Sequence, residues 1–126
     1  MDAINKEKNK KKSNIPIAVK ISPDIKNNYI ETLADLLIEN YVDLVILSNT
    51  TDGNRDNLKN LNRLEKGGLS GKPLEKRSND LIKNFYKIFK KKIKIIGVGG
   101  VDSGKSALEK ILNGASLVQV YTGMVY

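Results

Sequence analysis

Short β-branched runs alternate with stretches of helical spacing along most of this chain, and that alternation limits its fold more than any other feature. Ile15-Pro-Ile-Ala-Val-Lys-Ile21 reads as a buried strand stopped by Ser22-Pro23-Asp24. From Tyr29 to Asn40, the residues Ile30, Leu33, Ala34 and Leu37 share one apolar helical stripe. Val42 to Leu47 is a second strand, and Ser78 to Lys90 a second helix carrying Leu81, Ile82, Phe85 and Phe89. Ile93 to Val98 is a third strand, Ser103 to Asn113 a third helix stopped by Gly114, and Leu117 to Tyr121 a fourth strand. Such repetition predicts a parallel sheet with right-handed crossovers. A doubly wound sheet and part of a (β/α)8 barrel both satisfy it. A whole barrel takes about 250 residues, so 126 residues hold only half of one.

Composition removes several chemistries. The chain has no cysteine and no histidine, which excludes a disulfide framework, a thiol nucleophile, a Ser-His-Asp triad and the usual zinc sites. No stretch approaches the roughly 18 apolar residues of a membrane-spanning helix, and no signal-peptide pattern opens the chain. The net charge of +8 could point to nucleic acid. It arises from 19 lysines against 3 arginines, spread along a chain that also has 14 asparagines and 14 isoleucines. Arginine, the usual reader of bases, is scarce, and aromatics do not interleave with a basic stripe. The pattern is compositional bias, and no nucleic-acid partner is expected.

In either parallel architecture, ligands gather at the C-terminal ends of the strands. That edge holds Lys20 and Ser22, Ser48 to Thr51, Gly97 to Gly100, and Tyr121 to Gly123. Glycines after the third strand could bring backbone N–H groups and a helix N-terminus to an anion, or could simply allow a tight turn. Lys20, inside an apolar strand, could face an anionic or electron-rich ligand, or could snorkel to water. Asn49 and Thr50 could read a planar, amide-rich ligand, although Ser-Asn-Thr-Thr is also ordinary turn chemistry. The polar stretch from Asp52 to Lys66 is long for a connection, and long loops are often functional.

Gly99-Gly-Val-Asp-Ser-Gly-Lys105-Ser106 also fits the G-x-x-x-x-G-K-[ST] phosphate loop of a nucleoside triphosphatase. Against that reading, Asp102 places a negative charge inside the loop, and no downstream strand remains to supply a magnesium-binding aspartate.

Five segments together resemble the dihydroorotate dehydrogenases of the quinone-linked class (class 2). They are Pro16-Ile-Ala-Val-Lys-Ile-Ser-Pro-Asp24, Leu47-Ser-Asn-Thr-Thr51, Gly67-Gly-Leu-Ser-Gly-Lys-Pro-Leu74, Ile95-Ile-Gly-Val-Gly-Gly-Val101 and Gly114-Ala-Ser-Leu-Val-Gln-Val-Tyr-Thr-Gly123. The resemblance runs over nearly the whole chain. It implies an α/β fold in which residues 15–126 are the last four strands of an FMN-binding (β/α)8 TIM barrel, and residues 1–14 the basic end of the preceding helix.

The same resemblance implies that Lys20, Ser48, Gly71, Gly100, Tyr121 and Thr122 contact FMN and that Asn49 and Thr50 hold the substrate ring. Lys20 would favour the reduced flavin. The reaction implied is oxidation of dihydroorotate to orotate in pyrimidine (UMP) biosynthesis, with a quinone as the final acceptor. Full-length relatives are expected on the cytoplasmic side of the inner membrane, peripheral to it, and the 126-residue chain itself in the cytoplasm. The serine that acts as general base lies on an earlier loop with no counterpart here, so no catalytic residue is assigned. Two further expectations follow: the chain is inactive alone and needs the N-terminal half of the barrel, or it serves as a non-catalytic half-barrel or split-gene subunit that binds flavin or phosphate. Open sheet edges are expected to leave it marginally stable or prone to pairing.

Overall fold

The computed structural model describes residues 2–12, 14–53 and 55–125. Met1 and Ser13, which belong to the predicted N-terminal segment, lie outside them. Among the described residues, four helices and four strands follow in the order α1 (Asp2–Lys10), β1 (Ala18–Ile21), α2 (Ile30–Glu39), β2 (Leu44–Leu47), α3 (Glu75–Phe89), β3 (Lys94–Val98), α4 (Gly104–Leu112) and β4 (Leu117–Gln119). Short 3-10 turns sit at Asn27–Tyr29, Leu61–Leu64, Lys72–Leu74 and Thr122–Met124.

All strand pairs are parallel, and the spatial order β1-β2-β3-β4 is the chain order. That order separates the two architectures the sequence leaves open. A doubly wound sheet reverses direction at a switch point. Four strands laid down consecutively, with right-handed crossovers, place their helices on one face, as a (β/α)8 barrel does.

The core lies between the sheet and its helices. Val45, Leu47 and Ile95 meet Ala34, Leu37, Leu81, Ile82, Phe85 and Phe89, all buried. The Phe85 and Phe89 rings, with centroids 5.4 Å apart, fill its centre. Each of the larger side chains here stabilises the fold by about 1.5–3 kcal/mol. The period-two alternation of strands sends the remaining side chains to the opposite face. There the register aligns Lys20 with Ile46, Ile46 with Ile96, and Ile96 with Leu117, a row corresponding to one layer of a barrel interior. Ile46 and Ile96 are half-buried, and Leu117 is exposed.

Candidate functional site

The C-terminal ends of all four strands open onto one cleft. Lys20 comes from β1, and Ser48, Asn49 and Thr50 follow β2; Gly100 follows β3, and Tyr121 and Thr122 follow β4. Gly71 enters from the segment that leads into α3. The eight residues singled out in the sequence therefore line a single cavity. Ser48 and Gly100 are buried, Gly71 and Thr122 half-buried, and Lys20, Asn49, Thr50 and Tyr121 exposed.

Backbone bonds extend each strand into this edge. The Asn49 amide donates to Ile21 O at 2.9 Å, and the Ser48 amide to Val98 O at 3.0 Å. Thr51 and Leu69 exchange amide–carbonyl bonds of 3.0 and 2.8 Å, which ties the loop after β2 to the glycine-rich segment. Asp24, after β1, accepts from the Asp52 amide at 3.0 Å and from the Thr51 hydroxyl. Across the cleft, Thr122 Oγ1 donates to Ser70 Oγ at 2.9 Å.

Two groups beside the cleft are held by charge. Lys72 Nζ lies 2.7 Å from Glu75 and 3.3 Å from Asp102, joining the entrance of α3 to the loop after β3. The Ser106 hydroxyl foremost, with Lys72 and Ser103, holds the Asp102 carboxyl below its ordinary range. Glu75 foremost, then Asp102, raises the Lys72 ammonium above its own.

Some residues of the cleft are given no role by the sequence. Ser70 and Gln119 line it; both fall within the five segments that carry the resemblance, but nothing in local spacing marks either as a contact. Arg77 and Ser78 lie behind it, on α3. Arg77 donates to Pro23 O at 2.7 Å, to Asn27 Oδ1 at 3.0 Å and to Ile25 O, fastening the loop after β1 to the helix.

The phosphate-loop reading of Gly99–Ser106 fails on hydrogen-bond geometry. Ser103 and Ser106 form a reciprocal capping box at the start of α4. The amides of Asp102 and Ser103 donate to Ser106 Oγ, and the Ser106 amide to Ser103 Oγ, at 3.0–3.2 Å. Three of the loop's amides are thus engaged by its own hydroxyls instead of facing a phosphate. Lys105 is exposed and lines the groove between α3 and α4, away from the cleft. Lys105→Ala should therefore shift stability by less than about 0.5 kcal/mol and leave ligand binding in the cleft unaltered. Denaturant titration and equilibrium dialysis would show it.

The donor set suits a flavin nucleotide. A Cβ on Gly71 would sit 3.2 Å from Thr122 Cγ2, and one on Gly100 would run into the backbone of Glu75. The absent side chains let Gly71 approach Thr122 and the Gly100 turn approach the start of α3, with hydroxyls beside them and the Lys20 ammonium on the β1 side of the cleft. Backbone amides and hydroxyls favour a phosphate, and a cation favours an electron-rich ring.

The chain matches the family model described as dihydroorotate dehydrogenase over residues 1–126. It is 49% identical over 112 residues to a dihydroorotate dehydrogenase (quinone) of Buchnera aphidicola subsp. Schizaphis graminum, and 48% identical over 112 residues to one of Idiomarina loihiensis. Each alignment covers 89% of this chain and 33% of the relative, so the chain spans about a third of the length of these curated relatives. The crystal structure of DHODH from Eimeria tenella in complex with ferulenol is similar with a TM-score of 0.83 and 38% identity. That match covers 86% of this chain and 29% of the other.

Proposed function

Because the chain belongs to the dihydroorotate dehydrogenase family, we propose that its strand-end cleft is part of a site for FMN and dihydroorotate, serving oxidation to orotate in pyrimidine biosynthesis. The family implies a flavin in general; FMN is our reading of the phosphate-suited end of the cleft. One observation carries the proposal: residues from four strand ends and a separate glycine-rich segment, spread from Lys20 to Thr122, meet in one cavity.

In this reading Gly71, Gly100, Tyr121 and Thr122 hold the phosphate end of the cofactor, while Lys20 and Ser48 flank its ring. Asn49 and Thr50 present amide and hydroxyl groups to the pyrimidine ring, whose own amides offer donors and acceptors in return. A bound flavin would supply the two-electron acceptor. This chain's residues orient the two rings and place positive charge beside the one that gains electrons. The proton-abstracting serine and the remaining strands of the barrel come from polypeptide outside these 126 residues. A quinone takes the electrons onward, which makes the cytoplasmic face of the inner membrane the proposed place of work for the assembled enzyme.

The test is the visible absorption spectrum of the chain after incubation with FMN and desalting. Retained flavin is expected, with at least tenfold weaker binding in Lys20→Ala and in Thr122→Ala. With the N-terminal portion of a curated relative supplied in trans, dihydroorotate-dependent quinone reduction is expected. A chain that folds and retains no flavin would refute the cofactor reading.

A further inference from the structure

We infer that Ser78 is a positioning residue: from α3 it holds the last carbonyls of β2 and β3 together beneath the cleft, and so sets the placement of Ser48 and Asn49. The inference rests on the flavin reading of the cleft only for its functional consequence. The geometry stands by itself.

Ser78 is fully buried, in the same helix as the apolar stripe of Leu81, Ile82, Phe85 and Phe89. A hydroxyl in such a place is costly unless it is hydrogen-bonded. Serine inside a helix commonly bonds back to the carbonyl one turn earlier. Here the hydroxyl is turned toward the sheet instead. Its oxygen lies 2.7 Å from Val98 O and 3.2 Å from Leu47 O, so one proton is shared between two carbonyls. Those carbonyls belong to the final residues of β3 and β2.

Val98 O also accepts the Ser48 amide at 3.0 Å. A carbonyl has two lone pairs, and here one goes to the residue entering the cleft from β2 and the other to α3. Three elements meet at a single oxygen. The space is closed as well as bonded, because a Cβ built on Gly99 would lie 3.4 Å from Ser78 Cβ and 3.2 Å from Leu74 Cδ2. Without the hydroxyl, the two strand ends keep their mutual pairing but lose the tie that fixes them to the helix layer.

A merely space-filling serine would behave differently from a bonding one, and two variants of the full chain separate the roles. Ser78→Ala removes the hydroxyl, and Ser78→Cys keeps the volume with a much weaker donor. Amide hydrogen exchange reads the result residue by residue. Both variants should exchange the Ser48 and Asn49 amides at least tenfold faster than wild type. The mid-strand amides of Ile46 and Ile96 should stay within twofold. Affinity for FMN should fall about tenfold in both.

Wild-type exchange in Ser78→Cys, with acceleration only in Ser78→Ala, would show that volume is what matters and would overturn the inference. Uniform acceleration through β2 and β3, or none, would overturn it too. If wild type retains no FMN, the cofactor reading fails, and the exchange pattern still decides the role of Ser78.

Discussion

Gly100→Ala is expected to destabilise the chain by about 3 kcal/mol and to abolish flavin retention. Two independent costs add. Gly100 has φ +74°, a region that an L-residue enters at roughly 1–2 kcal/mol. The new methyl would also lie 2.6 Å from Glu75 Cα and 2.8 Å from Glu75 N. Those atoms are backbone at the start of α3, so relief requires moving the helix or the turn. Overpacking of this kind costs roughly 1–3 kcal/mol. Either movement displaces the main chain where the cofactor phosphate is proposed to sit. Gly104 supplies the contrast. It is the first residue of α4, and a Cβ there meets nothing within 4 Å. Gly104→Ala should be neutral or stabilising by up to about 1 kcal/mol, since alanine loses less entropy than glycine on entering a helix. Urea denaturation of both variants checks this pair. Equal stabilities would mean that the close approach of the turn to α3 is not real.

The parts of the fold visible in the sequence are those whose signal is apolar periodicity. Leu81, Ile82, Phe85 and Phe89 announce α3 because the same side chains that set the period fill the core. Its start is less legible. Periodicity suggests Ser78, but the helix begins at Glu75, because its first turn is polar and is preceded by a 3-10 turn containing Pro73. The first strand is shorter than its apolar run. Ile15 to Ile17 precede β1, and Ile17 still joins the ladder by accepting the Asp43 and Leu44 amides at 3.1 Å. Pro16, with no N–H, cannot do its share.

The arginines show why the rest stayed hidden. Against 19 lysines, 3 arginines look like a remnant of composition, and their scarcity speaks only against nucleic acid. In the structure all three clamp backbone carbonyls. Arg55 donates to the carbonyls of Arg63, Glu65 and Gly67, and Arg63 to those of Asp56 and Leu58, so two guanidinium groups organise the part of the polar stretch from Arg55 onward. Arg77 does the same behind the cleft. A planar fork with five donors can serve several carbonyls at once, and an ammonium on a flexible stem does so poorly. Nothing in local spacing indicates which carbonyls will converge. The contacts of Ser78 and Ser70 are hidden for the same reason: their partners are distant in the chain.

Lys110 is the plainest inversion of pattern, and it yields the second large effect. Helix α4 leaves Leu108, Ile111 and Leu112 exposed and buries Lys110 entirely. The stem packs beneath β3, where a Cβ on Gly97 would lie 3.0 Å from Lys110 Cδ, and Nζ donates to Asn79 Oδ1 at 2.6 Å. Burial pushes the ammonium down from 10.5 to about 8, with Glu75 and Glu109 partly opposing.

The sign of the pH dependence follows from linkage. Below about pH 8 both folded and unfolded chains carry the proton, and the full desolvation cost falls on the folded state. Between about 8 and 10.5 the unfolded chain holds more protons, so this group's contribution makes stability rise with pH. Above that range the cost has gone. At about 1.36 kcal/mol per pH unit, the swing is roughly 3 kcal/mol. Lys110→Met keeps the stem, removes the charge and gives up one hydrogen bond of about 1 kcal/mol. The variant should then be more stable than wild type by about 2 kcal/mol at pH 7. The advantage should shrink through pH 8 to 10 and reverse slightly beyond. Urea titrations of both chains across that range measure the difference, in which all other titrating groups cancel. A difference that does not change with pH would mean that Lys110 reaches solvent and that α4 packs otherwise than described.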